Sequence, residues 1–151
     1  MDLYSVNAKP FRRSFILMEL YSAIAIITSF LLARAGIFFI PMLGFSRKIT
    51  FPLLLLMFLV SVWYGRSLRK RIGAVGSIQD FEARVQEYEK AYRFRLQWNL
   101  ISCLILCVMF VLTERYFFFY FAIFHIVLGI PLYPNATLFK RELKNEEVIL
   151  Y

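Results

Sequence analysis

The chain has 151 residues, 60% of them hydrophobic and 19% aromatic, with a formal net charge of +8. Average soluble domains are about 45–50% apolar, and a core of this size cannot hide such a surplus, so a soluble globular protein is excluded. The two cysteines give no disulfide framework, and the sequence holds no nucleotide loop, metal-ligand cluster or nucleophile constellation.

The apolar residues come in long runs rather than stripes, which selects membrane-spanning helices. About 20 apolar residues in a helix cross roughly 30 Å of hydrocarbon, and lipid leaves free backbone groups without partners. The first run, Ser14–Ala33, follows Arg12 and Arg13 and carries one charge, Glu19. It is too long for a signal peptide and reads as a retained span. The connection that follows has an apolar middle, Ile37–Leu43, which is expected to lie in the interface or to dip in and return. The second run, Thr50–Tyr64, is short and borrows Ile49 and Gly65 to give a span over 49–65.

Residues 66–93 are predicted to form a helical hairpin outside the membrane. The helix continues for two turns past Gly65 and breaks at Gly73 and Gly76. Ser77-Ile78-Gln79-Asp80 reads as a fresh start with Ser77 as the cap. From Gln79 to Thr113 nothing breaks the pattern, which predicts a rod of about 50 Å projecting from the bilayer. Phe81, Val85, Tyr88 and Tyr92 share one face of that rod and are assigned to contact with a partner. Asp80–Arg84 and Glu89–Arg93 are pairs with the favourable i,i+4 order.

The third span covers 94–113, with Arg95 snorkelling to the interface. The fourth, Tyr116–Tyr133, is strongly aromatic and joins the third through a very tight turn at Glu114–Arg115. Pro131 and Pro134 end it. The tail, 134–151, is expected either on the membrane surface or folded back on the rod.

Lys and Arg are distributed unevenly. Fourteen of the 18 lie before the first span, between spans two and three, or in the tail; Arg34, Arg47, Lys48 and Arg115 lie in the other connections. The positive-inside rule then puts both termini on the cytoplasmic side, or the matrix side, of a bacterial inner membrane or an organellar membrane. These charges flank spans and do not tile a folded domain, which argues against nucleic acid as a partner. The cluster Arg66, Arg69, Lys70, Arg71, Lys90, Arg93 and Arg95 is expected at headgroup level, in contact with membrane lipids, anionic ones included.

Four residues are candidates for an intramembrane polar site. Glu19 is the sharpest, because a carboxylate in hydrocarbon is expensive and is usually paired or functional. His125 lies mid-span in the fourth helix. Cys103 and Cys107 stand one turn apart on one face of the third, where buried Cys commonly packs as a small hydrophobe. No cofactor, metal or catalytic residue is assigned. Ser22, Ala23, Ala25, Thr28, Ser29 and Ala33 give the first span a small-residue surface for close helix packing.

The expectation is therefore one all-α polytopic membrane domain over 1–151, with four spans. Its expected role is a non-catalytic membrane subunit or assembly partner that docks on other integral membrane proteins or on itself. The alternatives are a small proton-coupled transporter using Glu19, and a lipid-acting membrane enzyme using Glu19, His125 and the cysteines.

Overall fold

The computed structural model describes residues 4–36, 38, 40 and 47–151. Among the described residues the chain is all-helical apart from one pair of two-residue strands. The elements run β1 (Ser5–Val6), α1 (Lys9–Ala35), α2 (Arg47–Val75), α3 (Phe81–Thr113), α4 (Tyr116–Gly129, with a 3-10 turn at Ile130–Leu132), α5 (Ala136–Leu143) and β2 (Ile149–Leu150). By length and composition α1 and α3 can each cross a membrane. A third crossing is counted if Tyr116–Leu132 and Ala136–Leu143, bent by 76° at their break, form one span. Of the expected interfacial segment Ile37–Leu43, residues 37, 39 and 41–43 lie outside the described residues.

Local chemistry sets the helix ends. Pro10 lies in the first turn of α1, where its missing donor costs nothing. Gly36 closes α1 at φ 65°, a left-handed conformation that glycine adopts freely. The start of α3 departs from expectation: Asp80, not Ser77, is the cap, and its carboxylate accepts the Ala83 N–H at 2.9 Å. Ser77 instead donates to the Ala74 carbonyl at 2.7 Å. Gly73 does not break α2, which runs on to Val75. Glu114, at φ 51°, makes the tight turn between α3 and α4. Asn135 caps α5 by accepting the Leu138 N–H at 2.8 Å.

Two cores follow. One sits among the apolar segments, where Ser22, Ile26, Ser29 and Ala33 of α1 are buried in register at i+4, i+3 and i+4. Opposite them lie Cys103, Leu106, Cys107 and Phe110 of α3, with Phe118 and Ala122 of α4. Small side chains let these helices approach closely. The Ser22 and Ser29 hydroxyls are satisfied on their own helix, donating to the Met18 and Ile26 carbonyls.

The second core sits at the basic end of the bundle and corrects the picture of a free rod. Tyr88 and Tyr92 are only 0% and 2% exposed. They pack with Phe11 of α1 and with Phe139 and Leu143 of α5. Phe11 meets Phe139 edge-on at 4.9 Å, and Tyr88 meets Phe139 at 5.4 Å. Phe81 and Val85 lie against the same cluster, partly buried. The face assigned to a partner is thus covered by the chain's own tail, which folds back as the second of its two expected placements. Beyond α5, β2 pairs in parallel with β1, with Ser5 opposite Ile149 and Val6 opposite Leu150.

Candidate functional site

Three helices converge on a small polar group within the apolar segments. Glu19 comes from α1, Asn99 from α3, and His125 and Gly129 from α4. Gly129 is buried, and the Glu19 carboxylate occupies the space that a side chain there would need. A Cβ on Gly129 would collide with the Glu19 carboxylate and would stand 3.3 Å from Asn99 Nδ2. Asn99 Oδ1 lies 3.1 Å from His125 Nδ1, and Asn99 Nδ2 donates to the His125 carbonyl at 3.5 Å. With Oδ1 as the acceptor, the imidazole proton sits on Nδ1. One turn nearer the basic end, the Tyr92 hydroxyl donates to the Leu132 carbonyl at 2.8 Å. Glu19 Oε2 is buried and has no hydrogen-bond partner among the described residues.

The structure therefore places Glu19 and Asn99 beside the same buried glycine, Gly129, and joins Asn99 to His125. The cysteines take a different place. Both are buried and unpaired, and Cys103 Sγ lies 3.9 Å from the Ala122 carbonyl in the seam with α4. Among the described residues no three His, Cys, Asp or Glu side chains are grouped to hold a metal ion. Asn99 and Gly129 escaped the sequence reading. Asn99 lies just before the purely apolar stretch that begins at Leu100, where it passes for an edge residue. Its one signal is its spacing, four residues before Cys103 on the same helix face.

The basic cluster divides. Arg66, Arg69 and Lys70 are exposed and surround a shallow depression beside Trp63. The Arg71 guanidinium lies over the Phe94 ring at 4.5 Å, a cation–π contact. Lys90 pairs with Glu87 at 2.5 Å, and Arg93 with Glu89 at 2.6 Å, the latter in the expected i,i+4 order. The Arg95 guanidinium meets the buried Glu142 of α5 at 2.9 Å. The expected Asp80–Arg84 pair gives way to caps: Arg84 donates to the carbonyls of Ile78 and of Leu143, the latter at 3.2 Å. It thereby satisfies a carbonyl in the last turn of α5.

No known protein family, curated protein or solved structure matches this chain.

Proposed function

We propose that this chain is a four-span, non-catalytic subunit of a larger membrane complex, with both termini on the cytoplasmic or matrix side, and that it docks its partner through α2. The observation that carries this reading is the way α2 is held. Its basic end is anchored: Tyr64 stacks on Trp98 at 4.3 Å and donates from its hydroxyl to the Phe94 carbonyl at 3.0 Å. Toward the other end the helix is left open. Phe51 is 70% exposed and Trp63 69%, and Leu55, Leu56, Phe58, Leu59 and Val62 are exposed between them. Of the side chains described in 51–68, those of Tyr64 and Leu68 are buried and those of Met57 and Ser67 half-buried. An apolar helix held at Tyr64 and Leu68, with most of its described side chains from Phe51 to Trp63 exposed, presents a partner helix with a ready-made ridge.

The test is purification of the full-length chain in gentle detergent, with mass spectrometry of stoichiometric companions. A membrane protein that co-elutes with wild type and is lost from the Phe51→Ala/Phe58→Ala variant supports the reading. A monodisperse monomer, or a companion retained by that variant and lost with Arg66→Gln, overturns it.

A second reading is favoured by the convergence of Glu19, Asn99 and His125. It makes this polar group a proton or cation site in a small transporter. Uptake by reconstituted protein that survives Glu19→Gln would remove that reading.

A further inference from the structure

A groove runs along the seam between α1 and α3, and its two parts differ in chemistry. The apolar part, about 540 Å³, is lined by Tyr21, Ile24, Thr28 and Leu32 of α1 and by Leu104 and Val111 of α3. At Tyr21 it passes into a depression of about 630 Å³, whose wall carries Lys9, Arg13, Arg93 and Gln97. Lys9 and Arg13 are one turn apart on one face of α1. Among the described residues neither has a carboxylate within ion-pair distance, while Arg93 shares its charge with Glu89 at 2.6 Å.

The dimensions decide what fits. From Arg13 at the mouth to Thr28 is roughly 22 Å of helix at 1.5 Å per residue, a length that one extended acyl chain can follow. The apolar part is an open trough along which an extended acyl chain fits. The basic mouth stands where α1 leaves its apolar segment, at the level of lipid phosphates, and its free cations match an anionic headgroup.

We propose that this groove holds one anionic glycerophospholipid, with its phosphate between Lys9 and Arg13 and an acyl chain along α1 from Tyr21 toward Thr28. The site is separate from the open face of α2 and does not depend on the docking role given to that face.

Native mass spectrometry of the detergent-purified full-length chain tests this directly, with titration by phosphatidylglycerol and by phosphatidylcholine of the same chain length. One phosphatidylglycerol is expected to be retained in preference to phosphatidylcholine. Lys9→Gln and Arg13→Gln are each expected to weaken retention about fivefold, the loss of one basic contact at the surface. Arg12→Gln, an exposed neighbour outside the groove, serves as the charge control and is expected to change little. Thr28→Trp, which fills the apolar part without altering charge, is expected to lower retention of both lipids. Equal retention of the two lipids, an Arg12→Gln effect as large as that of Arg13→Gln, or indifference to Thr28→Trp would each overturn the proposal. Millimolar inorganic phosphate displacing the lipid equally from wild type and Thr28→Trp would show a free-anion site instead, and would overturn it too.

Discussion

Arg95 and Glu142, 47 positions apart, meet at 2.9 Å where α5 crosses α3, with only 24% and 8% of their side chains exposed. This pair fastens the tail to the longest helix at the level where α3 enters its apolar segment. Removing one partner from such a pair leaves the other charge poorly solvated. Glu142→Ala is expected to cost about 1–3 kcal/mol, below the 3–5 of a fully buried pair because Arg95 keeps some access to water. Replacing both, as Arg95→Met with Glu142→Leu, should recover most of the loss. Thermal unfolding in detergent measures both, and a double variant no better than Glu142→Ala would contradict this account.

Gly129 is the position where three helices leave no room for a side chain. Gly129→Ala is expected to destabilise the bundle by about 1–3 kcal/mol through overpacking. Because the obstruction is the Glu19 carboxylate, Glu19→Ala should relieve much of that cost. The coupling between the two changes, read from a double-mutant cycle, should exceed about 0.5 kcal/mol. Strictly additive effects would mean that the two residues do not share the space.

Phe139 is fully buried and touches the rings of both Phe11 and Tyr88. Phe139→Ala is expected to cost about 3–5 kcal/mol at the basic end. The apolar seam of α1, α3 and α4 should persist, so the variant should become sensitive to limited proteolysis within residues 134–151 while the rest of the chain resists. Uniform digestion would show that the two cores unfold together.

Burial holds the Tyr88 phenol well above the ordinary tyrosine value of 10.0, and the nearby Glu142 charge pushes it further the same way. The folded chain therefore keeps this proton at a pH where the unfolded chain has released it. Below pH 10 both states hold the proton and stability is intact; above it the unfolded state binds fewer protons and stability falls. Tyr92 is shifted in the same direction, chiefly by burial. The melting temperature should decline as pH rises past about 10, and less steeply in Tyr88→Phe. An alkaline limb of unchanged slope in that variant would place the titration elsewhere.

The apolar runs announced themselves in the sequence because a stretch such as Leu100–Leu112 has few other uses. α1, α3 and the turn at Glu114 stand where the runs and their ends put them. The basic-end core was harder to read. An i, i+3, i+4 face such as Phe81, Val85, Tyr88 and Tyr92 looks the same whether another protein covers it or the chain's own residues do. Its cover, Phe139 and Leu143, lies on an eight-residue helix, too short to be firm from pattern alone. Charges misled for a related reason. Arg84 and Arg95 read as surface residues because their partners, the carbonyl of Leu143 and the carboxylate of Glu142, are remote in sequence. Glu19 and His125 stood out as polar residues in hydrocarbon, but what links them runs through Asn99 and Gly129, and no spacing rule joins four residues on three helices.

The strand pair sets a timetable for biosynthesis. Ser5 and Val6 find their partners only in Ile149 and Leu150, so the segment leading to Phe11 is translated nearly a whole chain length ahead of the residues that cover it. At ordinary rates of synthesis that interval is on the order of ten seconds. From the synthesis of Tyr92 until Phe139 follows, Phe11, Tyr88 and Tyr92 lack the ring that covers them. That nascent state, rather than the finished protein, is where a chaperone or an insertion factor would find a foothold.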